Sequence, residues 1–417
     1  MYQVKLPYGK DYLKGEIPFA FETISISEEP VQHTSIDEIT RAIENPIGAS
    51  LESLRGCKNV VIVTSDLTRP VPNKLILPVL IKELDKVGII KEQITILIGT
   101  GLHRVSPREE FVELVGEELS KEIKIISHDA WDQENLVDLG RTSRNTPIII
   151  NKLFMEADAK IVLGVIDPHQ FAGISGGVKG AVIGLGGEKL VQANHSMLSH
   201  PKATLGNLDG NPVRDDIDEI GAKIGVNFIV NVVLNSKKEV VKAVAGHPFE
   251  AHKVGVAEAR KTLQVEVNKP ADLVIAASGG FPKDVNLYQA QKALLHAAIA
   301  VKEGGIVILA AECIEGVGED RFTETMKTGK TPQEIIDNFV KQEFQVGAHK
   351  ALLWGTSLKK ARVILVAEGI DSPTCEIMLV EKAVSLQVAI DKALKVLPEN
   401  PIVYVMPKAP STIPLLK

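Results

Sequence analysis

Residues 59–100 read NVVIVTSDLTRPVPNKLILPVLIKELDKVGIIKEQITILIGT. NVVIVTS (59–65) is an apolar, β-branched run, the pattern of a strand buried on both faces. NKLILPVLIKELDKVG (73–88) has the spacing of an amphipathic helix. ITILIGT (94–100) is a second buried strand. Strand, helix, strand in that order is a βαβ unit, which implies a parallel sheet.

The same alternation extends outward. SPREEFVELVG (106–116) opens a helix, with Ser106 as the N-cap, Pro107 at the first position and Glu109 after it. EIKIISHD (122–129) and KIVLGVI (160–166) are further strands. NFIVNVVLNSKKEVVKAVAG (227–246) reads as a hairpin turning near Ser236, Lys237 and Lys238. PFEAHKVGVAEARKTLQ (248–264) reads as a long helix joining two domains. After it the α/β pattern restarts. LVIAAS (273–278), GIVILAA (305–311), RVILVAE (362–368) and IVYVMP (402–407) are strands. Helices fall around 288–302, 332–343 and 382–396. The expectation is two α/β domains with largely parallel sheets, residues 1–267 and 268–417.

Composition bounds the function. Of 417 residues, 45% are hydrophobic and only 4% aromatic, so the cores must be aliphatic. A net charge of −6 speaks against a general nucleic-acid or anionic-membrane binder. No apolar run reaches the ~18 residues of a membrane span, and the first residues show no signal-peptide core. Cys57, Cys313 and Cys375 are isolated and show no metal-ligand spacing. They fit a cytoplasmic protein with reduced thiols.

In α/β sheets, ligands bind beyond the C-terminal ends of the strands. Four such ends carry chemistry. Asp66, Thr68 and Arg69 follow the strand at 59–65, and His103 follows the one at 94–100. DPHQFAGISGGVKGAVIGLGG (167–187), with His169 and Lys179, follows the strand at 160–166. Tyr288, Gln289 and Lys292 follow the strand at 273–278. Each has a plainer reading. DLTRP suits a turn, and a lone loop histidine is commonly just solvated. The remaining histidines, His195 apart, are taken as surface or core. The glycine-rich stretch matches neither common phosphate motif, because Lys179 sits between Val178 and Gly180 and no G-x-G-x-x-G follows the strand. Its backbone N–H groups could still grip an anion. A desolvated Lys179 could serve as a nucleophile. His195 is a candidate metal ligand that needs others beside it.

DLTRP, GLHR, HQFAGISGGVK, NHSM and YQAQK, in this order, resemble the nickel-dependent lactate racemase family. His169 lies ten residues before Lys179 and His195 sixteen after it. The resemblance implies two α/β domains with the active site in the cleft between them. It implies a nickel pincer nucleotide, Ni(II)-pyridinium-3,5-bisthiocarboxylate mononucleotide, tethered to Lys179, with His195 as the metal's protein ligand. It implies His103 and His169 as the acid/base pair. It assigns the segment Asp66, Leu67, Thr68, Arg69, together with Gln289 and Lys292, to the cofactor, and Arg69 and Lys292 also to the substrate carboxylate. The glycines are then room for a flat nucleotide and its phosphate.

The implied activity is racemisation or 2-epimerisation of a 2-hydroxy acid. Hydride leaves C2 for the cofactor, giving a 2-keto acid, and returns on the other face. Two histidines serve because the hydroxyl points opposite ways in the two stereoisomers. The lactate enzymes carry a Pro-Gly pair where this chain has Ile183-Gly184, which leaves the group at C3 unspecified. Trp354 and Tyr288 are candidates to line the substrate pocket. Proteins that make the cofactor are possible partners. The competing readings are a nicotinamide-dependent 2-hydroxy acid dehydrogenase and a non-catalytic nickel-cofactor-binding protein.

Overall fold

Val60–Ser65 is a strand whose first five residues are buried, in a computed structural model that describes residues 1–26, 31–342 and 344–417. Its neighbours are Ile94–Gly99 and Ala159–Val165, both parallel to it. Lys124–Ser127 extends the sheet on the first side, and Phe228–Leu234 then Val240–Gly246 on the second. Only that last pairing, the expected hairpin, is antiparallel. The chain thus winds away from Val60–Ser65 in both directions. The order reverses between Val60–Ser65 and Ala159–Val165, and ligands bind at such a switch point.

Helix Asn73–Lys86 covers one face of this sheet with Ile76, Leu77, Leu80, Ile81 and Leu84. Each such side chain contributes about 1.5–3 kcal/mol by burial. Helix Ser35–Glu44 adds Ile39 and Ile43 to the same core. The short helix Lys179–Val182 packs on the two strands at the switch point.

The second sheet is parallel throughout. Its order is Glu381–Ala383, Ala361–Val366, Val301–Ala310, Ala271–Ala277, Val403–Met406, Glu22–Thr23. Helices Leu287–Ala300 and His349–Lys360 share the core on one of its faces. The other face is closed by helix Leu386–Leu394 and by the hairpin Tyr2–Tyr8 with Asp11–Ile17. Val4, Leu6 and Ile17 of that hairpin are fully buried against Leu273, Ile275 and Ile308.

This corrects the expected domain division. The chain forms two compact units, Met1–Ser27 with Leu263–Lys417, and Glu28–Thr262. The N-terminal segment, expected in the first domain, is built into the second because its hairpin seals that sheet. The change of unit falls at the last turn of helix Pro248–Leu263. A second correction concerns Ser106. The helix begins at Glu109, and Ser106 caps nothing. Its N–H donates instead to Ser127 Oγ at 2.9 Å, tying the loop to the neighbouring strand. Among the described residues no helix is long and apolar enough to cross a membrane. All three cysteines are free.

Candidate active site

Asp66 directly follows the strand Val60–Ser65 and is 6% exposed. Its Oδ1 accepts from the Thr68 N–H at 3.1 Å and the Thr68 hydroxyl at 2.5 Å. Its Oδ2 lies 2.7 Å from His103 Nδ1. Burial alone would raise the Asp66 carboxyl. The hydrogen bonds from His103 and Thr68 outweigh burial and hold it below its ordinary value. A carboxylate only accepts, so neutral His103 carries its proton on Nδ1 and its lone pair on Nε2. The His103 loop is held from behind by Gly101, whose N–H donates to Gly184 O at 2.9 Å. Arg69 is exposed and donates to Thr68 Oγ1 at 3.0 Å; Leu67 is exposed beside it.

Beyond the adjacent strand, Pro168–His169 pairs with Gly173–Ile174 in a tight antiparallel turn. The Ala172 N–H donates to His169 Nδ1 at 3.1 Å. Neutral His169 therefore carries its proton on Nε2, the opposite tautomer to His103. Phe171 stands between two imidazoles, edge-on to His169 at 4.8 Å and to His195 at 4.9 Å.

Lys179 opens its short helix and keeps some accessible surface. Desolvation, then the charges of Arg69 and Arg214, push its amine down to about 7. His195 lies on helix Glu188–Ser196, with Nδ1 3.1 Å from Asn194 Oδ1. Desolvation, then the charge of Lys179, push it down to about 3. It is neutral at any working pH, the form that binds a metal. Among the described residues no three His, Cys, Asp or Glu side chains gather closely enough to hold a metal ion.

The glycines also serve the packing of the protein itself. Gly176 and Gly177 adopt φ of +86° and +62°, which L side chains rarely adopt. A Cβ on Gly176 would lie 2.8 Å from Ile166 and 2.9 Å from Asn231 Oδ1. A Cβ on Gly177 would lie 2.9 Å from Arg214 and from His252. At Gly173 it would come within 2.1 Å of Asn207 O. Gly176 and Gly177 thus let buried side chains grip the loop, and Gly173 admits the Asn207 carbonyl. The grip is polar. Buried Arg214 donates to Gly176 O at 3.2 Å and Ile174 O at 3.4 Å. His252 donates from Nε2 to Ser175 O at 2.9 Å and accepts from Arg214 at Nδ1. Asn231 Oδ1 accepts the Gly177 N–H at 2.7 Å. Arg214→Leu strips these acceptors of a buried donor. We expect a loss of about 3 kcal/mol in denaturant unfolding. A loss below about 1 kcal/mol would show that Arg214 does not hold the loop.

Gln289 and Lys292 belong to the other unit. Asn286 caps helix Leu287–Ala300 by accepting the Gln289 N–H at 3.0 Å. Lys292 Nζ donates to Gln289 Oε1 at 2.8 Å, one turn along. Buried Lys350 lies 4.8 Å from the Tyr288 ring centroid and donates to Gln291 at 3.2 Å. Trp354 is fully buried and donates to Met378 O at 2.9 Å. It is a core residue, not a pocket wall.

Sequence reasoning missed Phe171, Asn194, Arg214 and Asn231. One signal was available: Asn231 interrupts the apolar run FIVNVVL, where a lone amide must have a buried partner.

Residues 8–206 match the family model of the lactate racemase N-terminal domain, and residues 266–413 that of the lactate racemase C-terminal domain. The lactate racemase of Thermoanaerobacterium thermosaccharolyticum is 33% identical, over 99% of both chains. That of Lactiplantibacillus plantarum is 34% identical, over 94% of this chain and 95% of the relative. The lactate racemase apoprotein structure from the former organism superposes with a TM-score of 0.92, at 33% identity, over 99% of this chain and 100% of that one. A Thermotoga maritima protein, 18% identical, shares the fold with a TM-score of 0.64 over 94% of this chain and 100% of that one. Matched in both domains and along its whole length, the chain belongs to the lactate racemase family and is an isomerase of the racemase class.

Proposed function

We propose that this protein inverts C2 of a 2-hydroxy acid with a nickel pincer nucleotide tethered at Lys179. The observation that supports this most is the chemistry gathered around one switch point. An imidazole bound to Asp66, a lysine amine near neutrality on a helix packed against the two switch-point strands, and a neutral imidazole within reach of that lysine's charge make up the set. The residues fit the cofactor. A neutral amine can join a carboxyl-derived group, and a neutral imidazole can donate to a metal that takes its other ligands from the nucleotide. When bound, the cofactor supplies a reversible hydride acceptor for C2.

The chain's own groups handle the protons. His103 takes the hydroxyl proton at Nε2, and Asp66 stabilises the imidazolium that forms. On the opposite side the imidazolium of His169 returns a proton from Nε2, and in the reverse direction the neutral ring takes one at the same atom. In both directions Nδ1 carries the ring's other proton, so His169 must first open its contact with the Ala172 N–H. Arg69 binds the substrate carboxylate through parallel hydrogen bonds and fixes the pivot. Gln289 and Lys292 are assigned to cofactor and substrate on the family's motif alone. The substrate is a 2-hydroxy acid, and Ile183-Gly184 leaves its C3 group open.

The test uses protein from cells that make the pincer nucleotide. Single-enantiomer 2-hydroxy acids deuterated at C2 are incubated with it and resolved by chiral chromatography. We expect inversion with the label retained. Loss of deuterium to water would overturn the hydride route. Inversion of none of the acids tried, by protein carrying the cofactor, would overturn the activity.

A further inference from the structure

The amide beside His195 is fixed from behind, and its fixing reaches the imidazole. Asn194 is fully buried. Its Nδ2 donates to Val213 O at 3.0 Å and to Asp216 Oδ2 at 3.0 Å. A backbone carbonyl is an acceptor only. Asp216, also fully buried, uses its other oxygen to accept the Thr142 hydroxyl at 2.6 Å. The direction of that bond is fixed too. Thr142 Oγ1 accepts the N–H groups of Thr146 at 3.1 Å and Arg144 at 3.3 Å, so its own proton points to Asp216. Both Asp216 oxygens accept, as in a carboxylate.

The Asn194 amide therefore cannot turn over, because a flip would set its oxygen against two acceptors. Its Oδ1 faces His195 Nδ1 at 3.1 Å. An amide oxygen accepts, so Nδ1 must carry the imidazole's proton. The lone pair is left on Nε2. Phe171 meets the same ring edge-on and limits its rotation.

We infer that Thr142, Asp216 and Asn194 form a directional hydrogen-bond relay that fixes His195 in the Nδ1–H tautomer, with Nε2 as the donor atom for a late transition metal. Asn194 and Asp216 are positioning residues. They act through His195 and need not touch metal or substrate. A metal-bound histidine commonly has its second nitrogen held this way, and the holding group affects metal affinity about 10–100-fold. The relay's metal role rests on the nickel reading proposed above, but its tautomer role does not.

The first test needs no cofactor. Full-length protein is labelled with 15N-histidine, and the two ring nitrogens of each histidine are read by long-range proton–nitrogen correlation. His195→Gln identifies the His195 signals by their loss. We expect His195 to carry its proton on Nδ1 in the wild type. Asp216→Asn keeps every volume but lets the amides reorient, so we expect mixed tautomers there. Asn194→Ala should do the same, and if it does not fold the Asp216→Asn result stands alone. An Nε2–H tautomer in the wild type, or no change in the variants, would overturn the relay. The second test measures nickel per chain after dialysis of protein from cofactor-making cells. We expect Asn194→Ala or Asp216→Asn to retain at least about tenfold less nickel than the wild type while the Lys179 mass adduct persists. Equal retention would overturn the metal role. Wild-type protein with the expected tautomer and no nickel would uphold the relay and overturn the cofactor reading instead.

Discussion

Asp66→Asn lowers the rate of inversion about as much as His103→Ala, by roughly three orders of magnitude, although Asp66 itself moves no substrate proton. The reason is tautomeric. With Asp66 ionised, His103 keeps its proton on Nδ1 and offers the Nε2 lone pair. An asparagine can turn its NH2 group toward Nδ1. The imidazole then shifts its proton to Nε2, where no base remains. Thr68, which donates to Asp66 through both N–H and hydroxyl, would stabilise the asparagine's oxygen on its own side and so favour that arrangement. Loss must be equal in both directions. For a substrate whose only stereocentre is C2, the two enantiomers have equal free energy in water, so kcat/KM for the two must stay equal in every variant. Initial rates from each enantiomer, with circular dichroism as the check on folding, measure this. Asp66→Asn with more than about a tenth of wild-type activity would show that inversion does not depend on the carboxylate to set the His103 tautomer.

His169 supplies a sharper comparison. As it sits, it is a donor at Nε2 because its Nδ1 is taken by the Ala172 N–H. In the acid/base role proposed for it, His169 must make a rearrangement that His103 does not need. No sequence motif distinguishes the two histidines in this respect. The difference arises from one tight turn, Pro168–His169 against Gly173–Ile174, and from one buried carboxylate.

The same contrast describes what the sequence made legible. Strands buried on both faces leave continuous apolar runs, so VVIVTS, ITILIG and ARVILV are read directly. Strand ends then locate Asp66, His103 and His169 without any knowledge of packing. The N-terminal segment was misassigned because its strand in the second sheet, Glu22–Thr23, is two residues long, and its hairpin finds its partner some 270 residues away, at Leu273 and Ile275. Local patterns carry no information about such pairing. The packing of the glycine-rich loop is illegible for a different reason. Glycine's tolerance of positive φ looks the same whether a ligand or a protein side chain fills the space beside it. Arg214 and His252 fill it here, and both lie on helices where a polar residue would ordinarily face water. Asn194 and Asp216 were hidden in the same way. A buried polar relay leaves no periodic trace, since each member is a single residue on a different element.

Lys179 should react as a nucleophile at neutral pH, with its acylation rate half-maximal near pH 7. Desolvation and the neighbouring charges of Arg69 and Arg214 bring its amine from an ordinary 10.5 down to about 7. At pH 7 about half of it is neutral, against roughly one part in three thousand for an ordinary lysine. That thousandfold gain in free amine is what a tethering reaction needs. A small water-soluble activated ester, with mass mapping of the labelled peptide, reads the rate across pH. The same shift has a sign in stability. The folded pKa lies below the unfolded one, so between about pH 7 and 10.5 the unfolded chain binds more protons. Stability from this group therefore rises with pH across that window, and its full cost is felt below pH 7. Lys179→Met removes the charge and its pH dependence together. We expect Tm of the apoprotein to become flatter with pH between 7 and 10 in that variant, higher than wild type at pH 6, and the cofactor adduct to vanish from its mass spectrum. Arg214→Leu, if it folds, takes away one of the two cations and should move the half-maximal pH upward. Acylation that becomes appreciable only near pH 10, or a Tm profile that Lys179→Met leaves unchanged, would mean that the amine is an ordinary charged lysine and that the tether must be made by other means.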